Sequence, residues 1–144
     1  MSDFLVDTNI LVYAYDRSET AKKAMAQKVL VWLESNNAGV LSTQVLGEFY
    51  HAVTSQRRVR PLTHDEAVAW VQLWKRHDVH PITGPHVDLA LELTGRHRVS
   101  YYDALILAAA RLARCDVVCS EDLSSGHDYG GVTVDNPFLP KARR

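Results

Sequence analysis

The chain carries no surplus of positive charge. Sixteen Lys and Arg stand against seventeen Asp and Glu in 144 residues, a formal net charge of -1. A nucleic-acid partner would meet no global attracting field, only whatever local patch the fold assembles. Cysteine is scarce: Cys115 and Cys119 are the two. If the intervening Asp116-Val117-Val118 is a strand, their Cα atoms lie about 13 Å apart, whereas a disulfide needs less than about 7 Å. A buried, reduced pair is expected, in keeping with a reducing compartment. No apolar run approaches the ~20 residues of a membrane span, and Met1-Ser2-Asp3 leads at once into a short run that meets Asp7, unlike a secretory signal. A Gly-rich phosphate loop, a serine nucleophile elbow, internal repeats and low-complexity tracts are missing as well. These absences leave a cytoplasmic chain with no membrane association, one domain over residues 1–144, large enough to bury roughly 70% of its unfolded surface without staples.

What is present alternates. Phe4-Leu5-Val6 reads as a short strand, and Asp7-Thr8-Asn9 caps a helical turn through Ile10–Ala14. Residues Glu19 to Glu34 carry Ala21, Met25, Val29, Trp32 and Leu33 close to helical spacing, and Val40-Leu41 opens a second strand. Ser42-Thr43 caps a helix bearing Val45, Leu46, Phe49, Tyr50 and Val53, expected to close in the run Gln56–Arg60 before Pro61. Thr63 with Glu66 forms a capping-box start for a helix whose stripe is Ala67, Trp70, Val71 and Trp74. A strand around Val79–Ile82, a helix through Val87–Leu93 that stops near Gly95, and a buried Ala/Leu-rich helix over Ala104–Leu112 follow. Val117-Val118 and Val132-Thr133-Val134 complete the strands, and Lys141–Arg144 reads as a basic tail. Short strands alternating with helices predict an α/β fold whose central sheet is mainly parallel and covered on both faces.

Most acids here keep polar company, and four do not. Asp7 lies between Phe4-Leu5-Val6 and Thr8-Asn9-Ile10; Glu48 sits in Val45-Leu46-Gly47-Glu48-Phe49-Tyr50; Asp103 separates Tyr101-Tyr102 from Ala104-Leu105; Asp122 follows Val117–Glu121. Singly, each has a structural reading: Asp7 and Asp103 as helix caps, Asp122 as a turn residue, Glu48 on an exposed flank. Jointly they say more. Residues just beyond the carboxyl ends of parallel strands share one sheet edge, where such folds place their sites. Two carboxylates ~4 Å apart repel by roughly 4 kcal/mol at an effective dielectric of 20, and no Lys or Arg adjoins Asp7, Glu48 or Asp103 in sequence. A hard divalent cation with oxygen ligands, Mg²⁺ or Mn²⁺, relieves that repulsion; zinc would call for His or Cys. Such a cation lowers the pKa of a bound water and offsets charge on a leaving oxygen, so phosphodiester hydrolysis is the leading chemistry.

At these residues the sequence resembles the PIN-domain family, and within it the VapC-like toxin ribonucleases of type II toxin–antitoxin pairs. The fragments are Val6-Asp7-Thr8-Asn9, Gln44–Tyr50, Ser100–Ile106, Cys119–Leu123, Tyr129-Gly130-Gly131-Val132 and Asn136-Pro137-Phe138, in that order over nearly the whole chain. The resemblance implies a PIN-like fold, Asp7, Glu48, Asp103 and Asp122 as the acidic catalytic and metal-holding site, and Thr8, Asn9 and Ser120 as polar supports. Ser120 stands where the family commonly has Thr; both offer a hydroxyl. It further implies Mg²⁺- or Mn²⁺-dependent endoribonuclease activity on RNA, a toxin that inhibits translation until a cognate antitoxin neutralises it, a homodimer, and a heterotetramer or larger assembly with the antitoxin.

Other features are weighed against plain alternatives. Arg57, Arg58 and Arg60, with Lys22, Lys23, Arg96 and Arg98, are either an RNA-binding patch or solvated helix ends. His77 and His80 are closest in sequence among the histidines but fit a helix-to-strand junction. Trp32, Trp70 and Trp74 suit core packing, though Trp70 and Trp74 share one helix face that suits a partner groove. Rival functions are a receiver-like phosphoacceptor, for which no Lys follows a late strand, another metal phosphohydrolase or DNA-directed nuclease, and an RNA-binding module that does not cut.

Overall fold

The computed structural model describes residues 3–16 and 18–140; the basic run Lys141–Arg144 lies outside them. Five strands, β1 (Phe4–Val6), β2 (Gly39–Ser42), β3 (Asp78–His80), β4 (Val117–Cys119) and β5 (Thr133–Asp135), form one sheet in the order β3-β2-β1-β4-β5. Every neighbouring pair is parallel. The strands are three or four residues long, so β-branched and leucine side chains at Leu5, Val6, Val40, Leu41, Val118 and Val134 are all buried, as parallel sheets require.

Parallel neighbours need crossovers; three of the four are helical, and β4 reaches β5 through the loop over residues 120–132. α1 (Thr8–Tyr15) and α2 (Thr20–Ser35) join β1 to β2, α3 (Thr43–Val53) and α4 (His64–Trp74) join β2 to β3, and α5 (Gly84–His97) and α6 (Tyr101–Leu112) join β3 to β4. The chain moves one way along the sheet from β1 to β3, then crosses to β4 and β5. With right-handed crossovers this puts α1–α4 on one face and α5–α6 on the other, and the packing agrees: α1 meets α2 and α3, α3 meets α4, while α5 and α6 pair and α6 covers β1 and β4. Strand order therefore reverses between β1 and β4, the place where open α/β sheets bind ligands.

Helix starts follow the capping chemistry legible in the chain. Ser42 caps α3 through Val45 N–H, Thr63 and Glu66 make a full capping box on α4, and Ser100 caps α6 through the Asp103 N–H. Asp103 thus sits in the first turn of α6 rather than at its cap. The boundaries of α3, α5 and β3 differ from expectation. α3 ends at Val53, because the Thr54 hydroxyl donates to the Tyr50 carbonyl and the Leu62 N–H folds back on Val53; Arg57–Arg60 lies in the following loop. α5 begins earlier, at Gly84-Pro85, and continues through Gly95 to His97; Arg98, in a left-handed conformation (φ 56°), ends it. β3 stops at His80, before Pro81, which has no N–H to extend the ladder. Cys115 precedes β4 and Cys119 ends it, both buried, with no disulfide between them.

Candidate active-site cleft

The register that pairs Val6 with Cys119 delivers the next residues of both strands to one edge. Asp7 N–H donates to the Cys119 carbonyl at 3.0 Å, and Ser120 N–H to the Asp135 carbonyl at 3.1 Å. Asp7 and Ser120 therefore emerge side by side, and the Ser120 hydroxyl donates to Asp7 Oδ2 at 2.7 Å. Asp7 caps α1, its Oδ1 accepting the Thr8 N–H at 2.7 Å. The same hydroxyl of Ser120 accepts the Asp122 N–H at 3.1 Å, folding the loop after β4 back towards the edge.

Asn9, in the first turn of α1, binds both sides. Its Nδ2 donates to Asp122 Oδ2 at 3.1 Å and lies 3.4 Å from Asp7 Oδ2, while its Oδ1 accepts the Glu121 N–H at 3.3 Å. Glu48 arrives from α3: Thr8 Oγ1 donates to its Oε1 at 2.6 Å and Gln44 Nε2 to its Oε2 at 3.2 Å. Asp103 comes from α6 on the opposite face of the sheet. Together Asp7, Glu48, Asp103 and Asp122 line one cleft of about 780 Å³, with Thr8, Asn9, Tyr13, His51 and Tyr102 beside them.

Two features of the acids bear on chemistry. Among the described residues no ion pair includes any of the four; the groups that touch them are hydroxyls, amides and backbone N–H, all neutral. Asp7, 5% exposed, has its carboxyl pushed up to about 6, chiefly by burial; the nearby Asp122 and Glu48 charges push the same way, against the lowering effect of the Ser120 and Thr8 hydrogen bonds. Among the described residues no three His, Cys, Asp or Glu side chains converge closely enough to wrap a metal ion as they stand. Asp7, Glu48 and Asp122 are drawn instead to neutral donors, and repulsion among the carboxylates favours the spread. The donor set nonetheless suits a hard cation: oxygen throughout, with charge left unneutralised.

The arginines fall elsewhere. Arg58 donates to Asp16 Oδ2 at 2.8 Å and lies 5.5 Å from the Tyr15 ring centroid, while Arg57 and Arg60 are exposed; none of the three lines the cleft. Lys22 is bound to Glu121 and donates to the Tyr13 hydroxyl at 3.2 Å. Arg96 pairs with Glu92 on α5, and Arg98 is that helix's C-cap. His77 is half-buried, its pKa lowered by burial, and His80 reaches Asp78 at 3.3 Å. Of the tryptophans, Trp74 is core, Trp70 is half-buried and stacked on it at 5.4 Å, and Trp32 is 48% exposed. Sequence reasoning assigned no role to Gln44, His51, Tyr13 or Tyr102. Gln44 carried a usable signal, because it precedes Glu48 by four residues and shares its helix face.

A family model described as the PIN domain matches residues 4–124. No curated protein sequence matches the chain. Among solved structures, the chain is similar to Mycobacterium tuberculosis VapC20, described as a Sarcin-Ricin loop cleaving toxin, at 23% identity over 83% of this chain and 90% of that one, with a TM-score of 0.65. It is similar as well to VapBC2 from Rickettsia felis bound to a promoter DNA fragment, at 17% identity, 92% and 97% coverage and a TM-score of 0.68. DNA-bound VapBC from Salmonella typhimurium matches at 17% identity, 95% and 99% coverage and a TM-score of 0.68. At these identities the likeness is one of fold.

Proposed function

The chain belongs to the PIN-domain family, and on that footing we propose that it is a Mg²⁺- or Mn²⁺-dependent endoribonuclease, the toxin of a toxin–antitoxin pair. The observation that carries the reading is the cleft that Asp7, Glu48, Asp103 and Asp122 line, where the first two and Asp122 meet only neutral donors and Asp103 accepts no hydrogen bond among the described residues. A folded protein that keeps four acids together without a cation of its own reserves their charge for one from solution. Asp7, Glu48, Asp103 and Asp122 would hold it. When bound, such an ion supplies an activated water and charge compensation at a phosphodiester.

The remaining work is positional, and the chain's own residues do it. Ser120 and the Thr8 N–H fix both oxygens of Asp7; Asn9 ties Asp122 to Asp7; Thr8 and Gln44 fix the two oxygens of Glu48. Asp103 accepts no hydrogen bond among the described residues, so its carboxylate is unengaged by protein. The choice of RNA rests on VapC20 being described as a toxin that cleaves the Sarcin-Ricin loop, and the antitoxin on the VapBC complexes of the same fold. For the antitoxin's tail we propose the apolar groove between α2 and α4, about 300 Å³, where Leu30, Val31, Trp70, Leu73 and Trp74 form the walls. A basic side chain from that tail would reach the acids, Arg for its two-pronged geometry. A homodimer and a cytoplasmic setting belong to the same proposal.

The test is RNA cleavage by purified protein. Cleavage should require Mg²⁺ or Mn²⁺, stop with EDTA, leave 5′-phosphate and 3′-hydroxyl ends, and vanish in Asp103→Asn while the fold persists. Full activity in excess chelator, or 2′,3′-cyclic phosphate products, would overturn the metal-dependent reading.

A further inference from the structure

We propose that Gln44 is a positioning residue that sets the span between the two walls of the cleft. The inference rests on the reading that Glu48 and Asp103 act together. α3 carries Glu48 on one face of the sheet and α6 carries Asp103 on the other, so neither the sheet nor a single helix fixes their separation. One side chain bridges them. Gln44, in the first turn of α3, donates through Nε2 to Glu48 Oε2 at 3.2 Å and to the Tyr102 carbonyl, in the first turn of α6, at 3.1 Å.

Three physical points favour a dedicated role over an incidental contact. An amide NH₂ has two donors, and both are used here, one within α3 and one on a carbonyl of α6 58 residues away in sequence. Its orientation is forced: turning the amide over would aim Oε1 at a carboxylate oxygen and a carbonyl oxygen. In the orientation adopted, Gln44 Oε1 is buried with no hydrogen-bond partner, an arrangement that costs stability and that an apolar side chain of similar shape would avoid. The donor is also neutral. A Lys or Arg at this place would satisfy both acceptors and cancel the charge of Glu48, whereas the amide holds the carboxylate in place and leaves its charge intact. The Tyr102 carbonyl and the Asp103 N–H belong to one peptide unit, so the bond that anchors Gln44 acts directly on the backbone of Asp103.

Gln44→Met keeps length and helix preference while deleting the amide, and Gln44→Lys restores a donor but adds charge. In metal-free protein, Gln44→Met should shift the Asp103 amide ¹⁵N resonance and the Thr8 resonances together, at an unchanged Tm. Its Mn²⁺ affinity by calorimetry should fall about tenfold, the scale of losses at groups that orient metal ligands. Gln44→Lys should return the Asp103 resonance towards its wild-type position and bind Mn²⁺ more weakly still. Unmoved Asp103 and Thr8 resonances in Gln44→Met would overturn the bridge. A lowered metal-free Tm in Gln44→Met, with Tm and Mn²⁺ affinity both restored by Gln44→Lys, would reduce Gln44 to a plain structural tie. A wild-type protein that binds no Mn²⁺ would sink the cation site itself, and the metal-free resonances would still decide the bridge.

Discussion

Replacing Asp7 with Asn should make the metal-free protein more stable at neutral pH and less stable in acid. The folded state holds the Asp7 proton up to about pH 6, against an ordinary value of 3.8. Between those values the native protein binds more protons than the unfolded chain, so stability falls as pH rises through the window, and the full cost stands above about pH 6. Two pKa units correspond to about 3 kcal/mol. Asn removes that cost and keeps helix-capping ability. It also has one acceptor oxygen where the carboxylate has two. The Thr8 N–H bond survives, and the Ser120 hydroxyl must turn to accept from the new amide, a loss of about 1 kcal/mol. The net gain is about 2 kcal/mol at pH 7.5, a rise in Tm of about 4–8 °C for a chain near 150 residues. Near pH 4 the charge cost shrinks to about 0.5 kcal/mol, below the hydrogen bond lost, and the order of the two proteins reverses. Thermal melts of both proteins in EDTA, from pH 4 to pH 8, measure this directly. An Asp7→Asn protein less stable than wild type at pH 7.5, or a difference independent of pH, would refute the charge argument and make Asp7 a structural cap.

The arginine loop should divide. Arg58→Ala loses a partly buried bond to Asp16 and its packing on Tyr15, and should cost about 1 kcal/mol in urea melts; Arg57→Ala should leave stability unchanged, and equal losses would mean the Asp16 pair contributes nothing. In the groove, Trp70→Ala should weaken antitoxin binding more than it weakens RNA cleavage by the free enzyme. Both are measured on one preparation, and unchanged affinity or a collapsed fold would return Trp70 to the core.

The acids were legible because they break a local rule. A carboxylate amid Phe-Leu-Val or Ala-Leu-Ile-Leu declares itself without any knowledge of the fold, and the parallel sheet supplied the edge on which such residues could meet. Ser42 and Thr63 were legible for a similar reason, since a capping bond spans three residues. What stayed hidden is non-local. The role of Gln44 depends on a carbonyl 58 residues away and that of Arg58 on Asp16, 42 residues away; from sequence alone, Arg58 is as good a phosphate ligand as Arg57. The end of α3 was misplaced because the Thr54 hydroxyl competes with the helix for the Tyr50 carbonyl, a choice that hydrophobic periodicity does not register. Gly95 looked like a stop, yet no side chain is needed at an exposed helical position, and the actual stop is the left-handed Arg98.

The cleft and the stability prediction share one cause. Cations do come near the acids: Lys22 reaches Glu121, one residue before Asp122, and packs against the Tyr13 ring beside the cleft. Its charge is spent on Glu121, which holds the loop after β4, and Asp122 is left to Asn9. The same division recurs at Asp7 and Glu48. Ser120 rather than a Lys holds Asp7, and Thr8 with Gln44 rather than an Arg holds Glu48. Neutral donors fix the direction of a carboxylate without cancelling its field, so the geometry is built while the repulsion is kept. Burial first, and that repulsion as a smaller contribution, push Asp7 up to about 6; the repulsion is what a divalent cation would relieve. A cationic residue introduced at position 9 or 44 should therefore stabilise the metal-free fold and weaken divalent-ion binding in the same variant. A purely structural polar cluster would gain stability from the added charge with nothing lost.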